Sequence, residues 1–246
     1  MGLASSLRRL LPLLTVGLAA CGGGASAAAT DPLPPNPELA PSFAVTSNGR
    51  DLDVNAVLFA HGAGQTLPAG DQLVAVSGNT RTPLTVVVGS EIVAYGAKLP
   101  AATTEENVSI VLQRVSGDAP ASSVTLPAPF EVVDIPASAK PGAEISVTLS
   151  RALGDREKLE LTLAGCGLQH ALPAQQRAAT RYSFVLDKSA PVAQCTAVLN
   201  VRIRREGTLD DSFARSFVYG DAGAVEQPAS FVGIQDRRAN LVLVAP

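Results

Sequence analysis

The apolar residues beyond Ser42 follow a period of two. In the clearest run, polar and apolar residues alternate: Asp51, Leu52, Asp53, Val54, Asn55 and Ala56. Further short runs rich in Val, Leu and Ile lie at 72–76, 84–88, 92–97 and 108–115. This alternation places successive side chains on opposite faces of a strand. Helical periodicity is confined to one short stretch at 172–179, so the pattern predicts an all-β chain.

A weak internal repeat indicates that the strands form two similar units. Three runs align in order with three later ones, although the spacings differ: 73–76, 84–88 and 110–114 with 145–149, 159–163 and 200–204. Duplication of one β-sandwich unit explains this order, and a coincidence of common strand endings is the alternative. The Pro-rich stretch 126–129 then divides the chain into units 42–128 and 129–246. Both lengths suit immunoglobulin-like β-sandwiches, although the absence of Trp excludes the antibody type.

The N-terminus has the parts of a bacterial export signal. Arg8 and Arg9 precede an apolar run from Leu10 to Ala20. This run has roughly eleven residues, whereas a membrane-spanning helix needs about twenty. Residues 1–20 are therefore predicted to be a signal peptide that is removed.

The end of this run, Leu18-Ala19-Ala20-Cys21, resembles the lipobox of bacterial lipoproteins. The resemblance covers only the N-terminal end of the chain. It implies cleavage before Cys21, diacylation of the Cys21 thiol and attachment to a membrane of the cell envelope through that lipid. Because Gly22 rather than Asp follows the cysteine, it also implies the outer membrane in a Gram-negative host. The alternative is an ordinary secretory peptide cut after Ala20.

Residues 21–41 lack any apolar period and contain a Gly run followed by a Pro-rich stretch. Such a segment cannot bury enough surface to offset the entropy of ordering. We predict a flexible tether that reaches at most roughly 60–70 Å from the lipid. The predicted organisation is therefore a cleaved signal peptide, a disordered tether and two tandem immunoglobulin-like β-sandwich units.

Three cysteines occur in the chain, and lipidation of Cys21 leaves Cys166 and Cys195 as an even pair. Exported proteins meet an oxidising compartment, so we predict a disulfide between these two residues. Two reduced, buried thiols are the alternative.

Charge and motifs exclude several function classes. The formal charge is −3, and it falls to −5 when Arg8 and Arg9 leave with the signal peptide, so no basic cluster favours nucleic acid. Phosphate-binding loops, nucleophile elbows and zinc-protease motifs are absent. We therefore expect no nucleic acid, no nucleotide and no cofactor.

Two histidines are the first candidates for chemistry. His61 and His170 lie far apart in the sequence, and neither has an acidic residue close to it. A metal or catalytic site needs further ligands or a partner within hydrogen-bond reach. Each histidine is therefore interpreted as an ordinary loop residue.

Acidic residues give two weaker candidates. Asp51, Asp53 and Asn55 would share one face of a strand, where their oxygens could bind calcium. The wet face of a half-buried strand has the same pattern and is the preferred interpretation. The pair Asp210-Asp211 is typical of a surface turn.

Two basic runs are candidates for partner contact. Arg202 and Arg204 would share a face of one strand, and Arg237-Arg238 follows near the end of the chain. Because Arg is enriched at interface hot spots, Arg202 and Arg204 could bind a partner. Ion pairs with nearby acidic residues are the alternative.

The predicted function is a non-enzymatic binding or scaffold module of the cell envelope, held to the membrane by lipid on Cys21 and meeting an envelope protein partner. A hydrolase assembled from distant residues is one alternative, with His61 or Asp51 as its first suspects. A glycan-binding surface module is another, weakened by an aromatic content of 4% and the lack of Trp.

Overall fold

The computed structural model describes residues 33–87, 92–100, 105–188, 194–219 and 225–244. The predicted signal peptide, Cys21 and the first part of the predicted tether lie outside the described residues. The described chain begins with a short 3-10 helix, Asn36–Glu38. The strands of its first half are β1 Ala40–Ser47, β2 Asp51–Ala60, β3 Ala63–Gly64, β4 Gln72–Ser77, β5 Thr80–Pro83, β6 Thr85–Val86, β7 Tyr95–Pro100, β8 Asn107–Gln113 and β9 Ala121–Thr125. The strands of its second half are β10 Val132–Asp134, β11 Ser138–Ala139, β12 Glu144–Leu149, β13 Glu157–Gly165, β14 Leu168–Leu172, β15 Gln175–Gln176, β16 Arg181–Val185, β17 Cys195–Glu206, β18 Ser216–Tyr219, β19 Val225–Pro228 and β20 Ser230–Leu243.

The first unit is a sandwich of two sheets. One sheet contains β1, β2, β7 and β6, and the other contains β5, β4, β8 and β9, each in that order. Their inner faces are apolar, and Val45 of β1 shares one buried cluster with Leu73 of β4 and Ile110 of β8. The apolar members of the 51–56 run are buried in β2, so the predicted alternation is confirmed.

The second unit repeats this construction around its own core. One sheet contains β14, β13, β17 and β20, and the other contains β10, β12, β16 and β15. Leu163 of β13 and Leu199 of β17 pack in one cluster with Val147 of β12 and Phe184 of β16. The helical pattern predicted at 172–179 is wrong, because Gln175–Gln176 is a strand that pairs with β16.

Both units have the strand arrangement of an immunoglobulin-like sandwich. In each, two early strands and a later one form the first sheet, and a hairpin plus the last two strands form the second. The predicted all-β fold with two immunoglobulin-like units is confirmed.

The predicted strand alignment between the units is largely wrong. By position in the sandwich, β8 corresponds to β17, as the alignment of 110–114 with 200–204 predicts, but β4 corresponds to β13 and not to the strand at 145–149. Likewise the run at 84–88 has no partner in β13. All strands of a sandwich have the same alternation of polar and apolar residues and similar Gly and Pro residues at their ends. Aligning a strand of the first unit with the wrong strand of the second therefore gives an equally good match.

Strand β20 belongs to both units. Its first part, Ser230–Gln235, pairs in parallel with β1, and residues 232–243 pair antiparallel with β17. One ten-stranded sheet therefore runs through both units. Backbone hydrogen bonds between the strands, and not a flexible linker, hold the units together.

The described part of the segment between β17 and β20, residues 207–219 and 225–229, packs on the first unit. We call it the F–G excursion, because it joins the last two strands of the sandwich. Within its described part, Thr208 exchanges two backbone hydrogen bonds with Ser123 of β9, and Gly207 permits this approach because a Cβ there would lie 2.4 Å from the Ser123 carbonyl oxygen. Phe213, 3% exposed, enters the core of the first unit and meets the edge of Phe43 at 6.4 Å between ring centroids.

The end of the predicted tether is part of the fold. Leu33 is only 5% exposed and belongs to the core of the first unit, and β1 begins at Ala40. The partly buried Arg114 side chain donates hydrogen bonds to the carbonyl oxygens of Leu33 and Pro34 and to Asn36 Oδ1. The prediction that residues 33–41 form a flexible tether is therefore wrong. Its Pro-rich composition hid Leu33 and Leu39, whose burial depends on contacts distant in sequence.

Hydrogen bonds to two carbonyl groups fix the connector between the units, residues 126–129. Gln235 of β20 donates a hydrogen bond of 3.0 Å to the Pro127 carbonyl, and Arg151 donates two to the Ala128 carbonyl.

Arg151 also forms an ion pair with Glu157 through two hydrogen bonds, and the Glu157 side chain is 4% exposed. Burial alone would raise the pKa of Glu157, but the hydrogen bonds from Arg151 and the Gly154 N–H, with the Arg151 charge, hold it below the ordinary glutamate value.

This depressed pKa predicts a defined acid sensitivity. A carboxylate with a lowered folded-state pKa contributes stability at neutral pH that is lost as the pH falls through that value. We expect Glu157→Gln to lower the free energy of unfolding at pH 7 by about 1–3 kcal/mol and to flatten its decline below about pH 4. Urea unfolding at several pH values measures both effects. Glu206→Gln, which removes an exposed ion pair with Lys158, is the control and should change stability by less than about 1 kcal/mol.

The predicted disulfide is present. Cys166 lies in the turn between β13 and β14, Cys195 begins β17, and their Cα atoms are 6.0 Å apart. The bond closes a loop with a sequence separation of 29. A loop of this length stabilises a fold by roughly 3–4 kcal/mol in the chain-entropy model.

Candidate functional site

The outer face of the ten-stranded sheet carries most of the charged residues that the sequence singled out. Arg202 and Arg204 alternate with buried Val201 and Ile203 on β17, so the prediction that the two arginines share a face is confirmed. Arg204 lies 3.6 Å from Glu160 of β13, and Arg202 lies 3.5 Å from Asp236 of β20.

These ion pairs give both arginines an acidic partner within the sheet. Each guanidinium faces a carboxylate on the neighbouring strand, as the ion-pair alternative predicts, and contact of the two arginines with a partner stays a prediction. Asp236, the partner of Arg202, also lines a concave surface of the sheet.

That surface is a groove of about 670 Å³ on the outer sheet face. It crosses β20, β1, β2, β7 and β6, which are neighbours in that order. Residues of both units contribute polar side chains to it: Thr46, Asn48, Asp53, Asn55, Thr85, Lys98, Asp236 and Arg238. The apolar part of the lining is Val54, Val86, Val87, Gly96 and Ala97. The groove therefore exists only because β20 completes the first unit's sheet.

The charges of the groove are two carboxylates and two cations. Asp53 and Lys98 form a pair at 3.5 Å. The Asp236 side chain is 9% exposed, and its Oδ1 atom has no hydrogen-bond partner. Arg238 is exposed and forms no ion pair with any residue of the described ranges. The groove thus presents the Arg238 guanidinium on the same face of β20 as the buried Asp236 carboxylate.

The adjacent arginines Arg237 and Arg238 separate to opposite faces of β20. Arg237 turns away from the groove, with its guanidinium carbon 5.3 Å from the centre of the Phe130 ring. Its side chain is 11% exposed and pairs with Glu131 at 3.6 Å. The basic run predicted at this position is therefore one structural arginine and one groove arginine.

The acidic candidates have structural partners. Asp51, Asp53 and Asn55 share the outer face of β2, as predicted, but Lys98 occupies the neighbourhood of Asp53. Within the described residues, no group of three His, Cys, Asp or Glu side chains could hold a metal ion. The positive charge of Lys98 disfavours the binding of a calcium ion beside Asp53.

Asp210 fastens the F–G excursion to β9. Its carboxylate accepts hydrogen bonds from the Ser212 N–H and hydroxyl and from the Ala121 N–H. These bonds, the Ser212 backbone bond first, lower the pKa of Asp210. Its neighbour Asp211 pairs with Arg215 on the surface.

The described structure places the His61 side chain beside Glu38. His61 lies in the β2–β3 turn with a left-handed φ of 50°, and its Nε2 is 3.4 Å from Glu38, with side chains 73% and 50% exposed. His170 lies on β14, and its side chain is outside the described part. His61 and Asp51 lie at opposite ends of β2, which are roughly 30 Å apart at the rise of a strand. The two first suspects for a hydrolase therefore cannot share one site.

Sequence reasoning identified Asp53, Arg202 and Arg238 but missed Asp236 and Lys98. The available signal was the alternation of Asp236, Arg238 and Asn240 along the last strand. That alternation indicates a solvent-exposed face of the last strand, but it does not show which strand pairs with the last strand.

Comparisons with known proteins identify no family. No protein-family model matches the chain, and no curated protein matches it significantly. Among solved structures, tandem Ig repeats of Dlar align over 85% of this chain and 100% of theirs at 9% identity and a TM-score of 0.30. Titin Z1Z2 carrying a decorin peptide aligns over 85% and 98% at 12% identity and a TM-score of 0.24. The Bacteroides ovatus protein SGBP-B, solved with a mixed-linkage heptasaccharide, aligns over 88% and 46% at 9% identity and a TM-score of 0.24.

No helix in the described part of the chain is long and apolar enough to cross a membrane. The predicted attachment through Cys21 falls outside the described residues.

Proposed function

We propose that this protein is a lipid-anchored, non-enzymatic binding module of the bacterial cell envelope, and that its ligand binds in the outer-face groove. The observation that carries the proposal is that both units build this groove on one continuous sheet. A sheet held by backbone hydrogen bonds keeps its side chains in place, and such rigidity reduces the entropy lost on binding.

Two features favour binding over catalysis. The groove holds ion-paired and amide side chains, with no histidine or cysteine among its lining residues. The hydrolase suspects His61 and Asp51 lie at opposite ends of β2. A general acid and base must both lie within hydrogen-bond reach of one substrate.

The anchor rests on the lipobox-like sequence, and the fold limits its reach. Because Leu33 is already fixed in the first unit, residues 22–32 alone separate the lipid from the folded body. Eleven residues span at most about 40 Å when fully extended. We therefore propose that the body stays close to the membrane surface, at the outer membrane in a Gram-negative host.

Lipidation has a direct test. We expect metabolic labelling with a palmitate analogue to mark the protein, and Cys21→Ser to abolish the label, because the Cys21 thiol is the acyl acceptor. The Cys166→Ser/Cys195→Ser double variant is the matched control and should keep the label. Label that survives Cys21→Ser would contradict the anchor.

Binding is tested by capture from detergent-solubilised envelopes on the immobilised full chain. We expect wild type to retain an envelope component that the Lys98→Glu/Arg238→Glu variant loses. Arg81→Glu, which changes an exposed arginine on β5 of the opposite sheet, should retain it. If the groove variant and wild type retain the same components, the groove is not the binding surface.

A further inference from the structure

The groove crosses the strands instead of following them. Five strands span about 19 Å at the usual strand spacing of about 4.8 Å, which is long enough for an extended chain of several ring units. Strands β1 and β2 are paired on both sides here, whereas Asp236 and Arg238 lie beyond the pairing of β20 with β1, which ends at Gln235. The backbone groups of β1 and β2 are therefore used within the sheet, and over these two strands a ligand must bind through side chains.

The side chains offer donors and acceptors in balance. Asp53 and Asp236 accept hydrogen bonds, Lys98 and Arg238 donate them, and two amide and two hydroxyl side chains do both. The charges sum to zero. A hydroxyl group both donates and accepts, so a neutral ligand with closely spaced hydroxyls can use every group, whereas a highly charged ligand meets repulsion.

The Asp236 carboxylate contributes one charged group to the groove wall. Its side chain is nine-tenths buried, and its Oδ1 atom, which solvent does not reach, lies 3.5 Å from Arg202 Nε. The Arg202 charge offsets part of the cost of burying this carboxylate. A hydroxyl of a ligand must therefore meet the remaining exposed part of the Asp236 side chain.

The apolar part of the lining is small. Val86 and Val87 are 56% and 41% exposed, and no aromatic residue is among the lining residues. Protein partners usually anchor through large side chains in apolar pockets, and this groove has none of that kind. Two valines match the C–H face of a sugar ring, which is apolar but much smaller than an aromatic side chain.

We infer that the groove binds a neutral oligosaccharide, with Asp236 and Arg238 contacting its hydroxyls at one end and Asp53 and Lys98 at the other. This inference rests on the proposed function, because it names the ligand of the same groove. The two carboxylates are two strands and two residues apart, about 12 Å at the usual spacings, which suits contact with different ring units of one chain. Without aromatic stacking, binding to a single chain is weak, and multivalent display strengthens it.

The test uses the purified full chain in detergent and surfaces carrying dense tetra- to hexasaccharides of neutral hexoses or N-acetylhexosamines. Surfaces carrying uronic-acid oligosaccharides and hexapeptides are tested in parallel. We expect binding to at least one neutral oligosaccharide, with a loss of at least tenfold for Asp236→Asn and for Arg238→Ala. Arg81→Ala should bind as wild type does. Because Arg238 is exposed, Arg238→Ala keeps its unfolding temperature and remains informative if Asp236→Asn destabilises the sheet.

Several outcomes overturn the inference. Neutral oligosaccharide binding that Asp236→Asn and Arg238→Ala leave unchanged would place the sugar site elsewhere. Hexapeptide binding that depends on Arg238, without sugar binding, would make the ligand a protein and leave the proposed function intact. If no surface binds and the envelope capture is also insensitive to groove variants, the proposed function fails as well. Shortening of a bound oligosaccharide would show an enzyme and would overturn the non-enzymatic part of that proposal.

Discussion

Replacing Phe213 with Ala should lower the free energy of unfolding by about 3–5 kcal/mol, the usual cost of deleting a buried Phe ring. Phe213 belongs to the second unit by sequence, but its ring lies in the core of the first unit against Phe43. The cavity would therefore open in the first unit. Urea unfolding gives the size of the loss, and hydrogen exchange of β1 and β2 gives its location.

The control for this prediction is Val218→Ala, on the same F–G excursion but 49% exposed. It should change stability by less than about 1 kcal/mol. A loss for Phe213→Ala that leaves hydrogen exchange in β1 and β2 unchanged would contradict the packing of the excursion on the first unit.

The same contacts predict how the chain unfolds. Since β20 pairs with β1, and Phe213 and Phe231 belong to the first core, that core depends on residues of the second unit, which has a core of its own. The first unit should therefore lose its structure when the second unit unfolds, unlike tandem domains joined by a flexible linker.

Replacing Arg114 with Met should lower the free energy of unfolding by about 2–4 kcal/mol, because it removes one partner of a largely buried ion pair. The Arg114 and Asp71 side chains are 13% and 6% exposed, and Arg114 Nε lies 3.6 Å from Asp71 Oδ2. The substitution also removes the donors to Leu33, Pro34 and Asn36. The segment from Leu33 to β1 should then detach first.

Limited proteolysis and urea unfolding measure the two effects of Arg114→Met. We expect new cleavage between residues 33 and 39 under conditions that leave wild type intact. Arg81→Met, which replaces an exposed arginine of β5, should add no cleavage in this segment. Equal protection of the segment in wild type and Arg114→Met would show that Arg114 does not hold it.

Detachment of this segment has a consequence for the proposed anchor. In wild type, residues 22–32 set the distance from the lipid to the body. Freeing residues 33–39 would add roughly 25 Å of extended chain. Arg114 therefore couples the stability of the first unit to its reach above the membrane under the proposed lipidation.

Local pattern determined the secondary structure and the disulfide. The alternation at residues 51–56 gives a strand one apolar face, and this pattern can be recognised from residues adjacent in the sequence. The pairing of Cys166 with Cys195 followed from parity once Cys21 was assigned to lipid. The prediction of two sandwich units came from the weak internal repeat and from unit lengths that suit such sandwiches.

Only the tertiary structure decided which strands lie side by side. A strand has the same pattern whether its neighbour is near or far in the sequence, so the parallel pairing of β20 with β1 had no local signal. The same limit hid the burial of Leu33, the role of Phe213 and the union of Asp53 with Asp236 in one groove. Adjacent Arg237 and Arg238 looked alike in the sequence. The sheet separated them because successive residues of a strand face opposite sides, and only the packed second unit decided which side is core.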